Sequence, residues 1–142
     1  MRKKTSCVEE GWILLGQCRE GVWLVRRVGY RSGAPAAVAV DGPAALAREE
    51  KHGDVAGFMH THPGGPNAPS ARDIATMRAW CGCFGKPLLC VIECPAGVLG
   101  FEFDGDESRG VPLAQVTVFP RGVLVGVAHE QAAARRKLSR RG

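Results

Sequence analysis

The sequence predicts a mixed α/β domain: a central, mostly antiparallel, twisted sheet flanked by helices. Short apolar runs bounded by glycine, proline and polar residues recur along most of the chain, which is the pattern of strands. Two segments with helical spacing interrupt those runs, and no internal repeat or linker divides the chain. A length of 142 residues with 45% hydrophobic content suits about one domain with one real core.

GWILLGQ (11–17) and GVWLVRRVGY (21–30) read as two strands joined through CREG, a hairpin. RSGAPAA (31–37) is a loop, and VAV (38–40) is a short strand. GPAALAREEKHG (42–53) has a proline near its start, alanine-rich helical spacing and a terminal glycine, so it reads as a helix with its stop signal. VAGFMH (55–60) is a short apolar strand that ends at His60. A turn rich in glycine and proline follows, and Ser70 then stands as N-cap before ARDIATMRAW, where Ile74, Met77 and Trp80 fall at helical spacing. PLLCVIE, GVLGFEF and VTVFPRGVLVGVAH supply the later strands. The domain is expected over residues 1–134, with a flexible basic tail over 135–142.

Composition removes several classes. No apolar run approaches the roughly 20 residues that span a bilayer, and MRKKTSCVEEG lacks the apolar stretch of a signal peptide. A cytoplasmic protein with no membrane partner is expected. The formal net charge is +5, but Arg2, Lys3, Lys4 and the tail RRKLSRRG hold eight of the 19 basic residues. Residues 5–134 therefore keep eleven basic against 14 acidic residues, about −3, and nucleic acid is expected at most through the tail. Without a secretion signal, the six cysteines, Cys7, Cys18, Cys81, Cys83, Cys90 and Cys94, read as reduced thiols. The spacings in CGCFGKPLLCVIEC are not those of a zinc ribbon, and Cys90 sits within a buried strand pattern, so the cluster reads as small buried hydrophobes.

The stretch HTHPGGPNAPSARD (60–73) carries the chemistry. Residues two apart in an extended segment share a face, so His60 and His62 point to one place while Thr61 turns away. The GGPNAP turn lets the chain reverse, and the helix that follows returns Asp73 to the histidines. Two neutral imidazoles and a carboxylate suit one zinc ion per chain at about 2.0–2.2 Å, with a fourth position left for water. Taken singly, Ser70 is only a helix cap and Asp73 only a complement to the helix dipole; their joint spacing makes them part of a site.

HxHP, six residues, then SxxD resembles the zinc signature of the JAMM/MPN (JAB domain) metalloproteases, and EEGWILLG (9–16) resembles the ETGGILLG segment of the family's bacterial branch. Trp12 departs from the glycine usual at its position. The resemblance covers about the first two thirds of the chain. It implies a single MPN/JAB-like domain, with His60, His62 and Asp73 as zinc ligands, Glu9 as general base and Ser70 as oxyanion donor. Strand alternation groups Glu9 with Gly11, Ile13 and Leu15, and Glu10 with Trp12 and Leu14, so only one of the two glutamates can face the metal.

The activity implied is that of a zinc metallopeptidase or isopeptidase acting after the C-terminal glycine of a ubiquitin-like modifier, in deconjugation or precursor processing. The partners implied are that modifier, through its glycine-ended tail, and operon-linked E1-like and E2-like proteins. Such a tail suits addition to a sheet edge, for which the segment Arg31–Val40 is the candidate. Three alternatives stay open: a sulfur-carrier peptidase of the same family, a RadC-like DNA-associated protein whose loop also resembles this one through Pro66 and Pro69, and a non-catalytic MPN scaffold.

Overall fold

The computed structural model describes residues 10–32, 42–65, 67–104 and 110–129. Glu20 and Gly21 both hold positive φ, 51° and 81°, the two-residue turn whose twist matches that of antiparallel strands. They join β1 (Glu10–Arg19) to β2 (Val22–Ser32). The expected hairpin therefore forms with a tighter turn than CREG, because Cys18 and Arg19 continue the strand. Pairing skips between Gly11↔Arg31 and Ile13↔Val28, which leaves Gly29 and Tyr30 opposite Trp12. Gly29, at φ 68°, supplies the left-handed residue of that bulge.

Helix α1 (Gly42–His52) ends where Gly53 turns to φ 67° and donates its N–H to Glu49 O at 2.8 Å, the expected glycine stop. Next come β3 (Val55–Thr61), α2 (Ala71–Phe84), β4 (Leu88–Cys94) and β5 (Gly97–Phe103). Helix α2 runs four residues past Trp80, so Cys81 and Cys83 lie on its last turn, before Gly85 caps it at φ 69°. The run VTVFPRGVLVGVAH resolves into β7 (Gln115–Phe119), one 3-10 turn at Pro120–Gly122 and β8 (Val123–Val127), and a two-residue β6 (Val111–Pro112) precedes them. The expected VAV strand, most of the Arg31–Val40 edge, Pro66, Cys7, Glu9 and the tail 135–142 lie outside the described residues.

The eight described strands form one sheet in the order β6-β5-β4-β3-β1-β2-β8-β7. Every neighbouring pair is antiparallel except β3 and β4, which run parallel from Gly57↔Leu89 to Thr61↔Glu93. A parallel pair needs a crossover, and α2 supplies it. That one connection positions the site, because α2 has to begin beyond the C-terminal end of β3, where His60 lies.

One core lies between the sheet and the helices and gathers Ile13, Leu15, Phe58, Cys90 and Phe103 under Ala45 of α1 and Met77 of α2. The opposite face of the sheet buries Trp12, Leu14, Trp23, Met59, Leu89 and Leu124. No described helix covers that second core. The curl of the sheet closes it: Leu113 N–H donates to Gly100 O at 2.8 Å and Ala114 N–H to Val127 O at 2.7 Å, tying β5 to β8. Among the described residues no helix is long and apolar enough to cross a membrane.

Candidate metal centre

Strand β3 ends with its side chains sorted by face. Gly11 of β1 lies opposite His60, and Trp12 opposite Met59, so His60 shares the helix-side face with Ile13 and Phe58, while Trp12 and Met59 share the other. The β1–β3 register shifts between Leu14↔Gly57 and Leu15↔Val55, and this bulge is why Val55 and Phe58, three residues apart, both reach the helix-side core. Trp12 thus lies through the sheet from the histidines, stacked under the Arg27 guanidinium at 4.4 Å. A tryptophan there leaves the centre untouched.

Past β3, the His62 N–H donates to Glu93 O of β4 at 2.8 Å, and Gly65 N–H reaches back to His62 O at 3.3 Å. A side chain at Gly65 would press on His62, since its Cβ would stand 3.3 Å from His62 Cβ. The chain then enters α2 through a capping box. Ser70 Oγ accepts the Asp73 N–H at 3.1 Å, and the Ser70 N–H donates to Asp73 Oδ2 at 2.8 Å. Ser70 is therefore the cap that the sequence predicts, and the same exchange aims the Asp73 carboxylate at the end of β3.

Asp73 faces one imidazole with each oxygen: His60 Nε2 stands 3.3 Å from Oδ1, and His62 Nε2 stands 3.3 Å from Oδ2. The two rings stack with centroids 4.8 Å apart. His62 and Asp73 are buried at 7% and 8% exposure. Burial pushes the Asp73 carboxyl up, but His60 and the two Ser70 contacts outweigh it and hold the group at about 2, ionised at any ordinary pH.

The fit to a metal can be judged from these atoms alone. One ligand atom from each of His60, His62 and Asp73 lies within 4.8 Å of the others. Donors held about 2.0–2.1 Å from one zinc stand roughly 3.3 Å apart, and each imidazole nitrogen stands 3.3 Å from a different oxygen of the Asp73 carboxylate. His60 Nε2 is buried and makes no aligned hydrogen bond among the described residues, despite the nearby carboxylate. Buried nitrogens are seldom left so. A shared cation satisfies His60 Nε2, His62 Nε2 and the carboxylate at once, and the three residues can hold a metal ion.

The structure thus brings together His60, His62, Asp73 and Ser70. Of the two glutamates, Glu9 lies outside the described residues, and Glu10 falls on the Trp12 face of β1, away from His60. The described cysteines take no part. Among the described residues no metal-competent group includes one, and Cys18, Cys81, Cys83, Cys90 and Cys94 form no disulfide with one another. Cys90 lies in the core beneath α2, where burial, with the Asp73 charge, pushes its thiol pKa up.

Sequence reasoning missed one contact. Thr61 turns away from the metal face as expected, yet its Oγ1 accepts the Glu10 N–H at 2.8 Å. No local spacing signals a bond across 51 positions.

Residues 2–104 match the family profile described as prokaryotic homologs of the JAB domain. The match takes in β1 to β5, both described helices and every residue of the centre. Comparison with curated proteins gives no match.

Proposed function

The chain belongs to the prokaryotic homologs of the JAB domain, and from that premise we propose that it is a zinc-dependent peptidase. Its substrate is the amide bond after the C-terminal glycine of a ubiquitin-like modifier, in deconjugation or precursor processing. The observation that carries the reading is the buried His60 Nε2 beside a carboxylate that faces both imidazoles at 3.3 Å.

His60, His62 and Asp73 would hold the ion, and zinc held there would supply Lewis acidity that makes the attacking water easier to deprotonate near neutral pH. Glu9 takes a proton from the attacking water and returns it to the departing amine. Ser70 keeps a hydroxyl proton after its oxygen has accepted the Asp73 N–H, and it donates that proton to the oxygen on which charge develops as the carbonyl is attacked.

The described sheet offers an edge for an extended tail. Strand β8 pairs with β2 only from Val22 to Arg26, and among the described residues no strand pairs with that side of β2 from Arg27 to Ser32. Arg31 lies across Gly11 from His60 in the sheet. A tail added there gains backbone hydrogen bonds, and a glycine at its end lets the scissile bond come close to the metal. The modifier and its E1-like and E2-like enzymes are the partners this reading implies.

The test is cleavage of a fusion that carries a ubiquitin-like domain and a glycine-ended tail, with zinc measured in the same samples. Wild type is expected to cut with about one zinc per chain, and His62→Ala to lose zinc and activity together. Glu9→Gln is expected to keep zinc and lose nearly all hydrolysis, while Glu10→Gln stays close to wild type. Cutting only a sulfur-carrier protein extended beyond Gly-Gly would move the substrate class. Cutting neither, with zinc bound, would end the peptidase reading.

A further inference from the structure

We propose that the open part of the sheet's helix-side face, on β2, β8 and β7, docks the protein onto an anionic lipid surface. Val28 of β2 still packs against the core under the helices, but earlier in the same strand Leu24 is 56% exposed and Val22 41%. Strand pairing sets Leu24 beside Val125, Val22 beside Val127, and Arg26 beside Val123 and then Phe119, with Trp23 and Leu124 turned into the core behind. Of the five large hydrophobic residues exposed among the described residues, four, Val22, Leu24, Val118 and Phe119, fall on this patch or its edge. Scattered apolar residues are ordinary on a surface, whereas a contiguous set marks an interaction site.

The charge around the patch has one dominant sign. Residues 11–29 and 115–129 hold Arg19, Arg26, Arg27 and Arg121 against one acid, Glu20 at the hairpin turn. Arg27 lies across the sheet on Trp12, and the other three arginines join none of the ion pairs among the described residues. Arg19 flanks Val22 from β1, Arg26 lies in β2, and Arg121 follows Phe119 by two residues. An apolar strip bordered by unpaired cations complements anionic headgroups above acyl chains: the arginines meet the surface charge, and the leucine, valines and phenylalanine enter the boundary. A second copy is a poorer match, because it brings arginine to arginine. The patch, roughly 10 by 15 Å, also falls well short of the about 800 Å² that each side of a stable protein contact buries. This reading replaces the expectation of no membrane partner, which rested on spans and signal peptides; a peripheral contact needs neither. The metal centre stands clear of it. Gln17, opposite Leu24, lies six residues along β1 from Gly11, which is opposite His60, about 20 Å at the rise of an extended strand.

Co-sedimentation tests the proposal with vesicles of phosphatidylcholine alone or with about one third phosphatidylglycerol. Wild type is expected to pellet with the anionic vesicles and not with the neutral ones, and added salt to release it. Leu24→Thr combined with Phe119→Thr keeps strand-forming residues and is expected to weaken binding about ten-fold or more, with the fold unchanged by circular dichroism. Arg26→Gln is expected to weaken it about five-fold, and it carries the test if the threonine pair does not fold. Wild type that ignores both vesicles overturns the proposal, as does equal binding to both. So does full binding by the threonine pair or, should that pair not fold, by Arg26→Gln, since the lipid would then be held elsewhere, as by the basic run at 135–141. Binding to polyglutamate as tight as to the anionic vesicles points to an acidic protein instead and overturns it too. Self-association of wild type that the threonine pair loses, with no vesicle binding, assigns the patch to a second copy.

Discussion

Ser70 caps α2 in the structure and is proposed to donate to the oxyanion as well, and the two roles predict different losses. As a cap, its Oγ accepts the Asp73 N–H at 3.1 Å, and removing such a cap destabilises by about 0.5–2 kcal/mol. As the proposed donor, it would give its remaining proton to the developing oxyanion, and deleting a positioned donor lowers kcat by about 10²–10³. Ser70→Ala is therefore expected to show both effects, read by chemical denaturation and by single-turnover cleavage at matched zinc content. Early melting with normal turnover would leave Ser70 as a cap alone. His60, His62, Ser70 and Asp73 were legible because their placement is local: alternation in one strand and the first turn of one helix decide where each side chain points. Thr61 was not, because its partner arrives from the first strand through sheet pairing.

The β3–α2–β4 unit converts that local order into a site, and its weak point is the close approach of its parallel strands. A Cβ on Gly57 would lie 1.8 Å from Leu89 O, with φ at 154°, so any side chain has to push backbone against backbone. Gly57→Ala is expected to destabilise by at least about 1–3 kcal/mol, the usual scale of imposed backbone strain, and to weaken zinc binding, since the shifted β3 carries His60. Denaturant melts and a zinc titration measure the two effects, and an alanine variant as stable as wild type would show that β3 and β4 separate freely. The elements with strong local signals, the β1–β2 hairpin, both helices and β3, were read correctly from periodicity and from Gly53 as a stop. The neighbours of each strand were hidden: β1 between β3 and β2, and β8 against β2, are set by contacts far apart in sequence. The split of VTVFPRGVLVGVAH was hidden too, since Arg121 makes the turn at φ 67°, a conformation that composition does not announce.

At the scale of the whole molecule, the metal centre stands apart from what holds the fold together. Neither hydrophobic core includes His60, His62 or Asp73, and the curl of the sheet is closed by Leu113 and Ala114 at its far end. Zinc held by these residues would nonetheless join the end of β3 to the first turn of α2, elements that the unfolded chain does not hold together. An ion that binds only the folded state stabilises it by about 2.7 kcal/mol when free zinc is a hundred times Kd, and each kcal/mol moves the melting midpoint by roughly 2–8 °C in a domain of this class. A chelator is therefore expected to lower the wild-type midpoint without abolishing cooperative melting, and added zinc to restore it. His62→Ala should respond to neither. Wholesale unfolding on chelation would make the metal structural, and identical midpoints with and without zinc would mean that the paired imidazoles hold no ion. The expected middle result, a folded metal-free domain that gains stability on loading, is what a site built on two adjacent elements over an independent core requires.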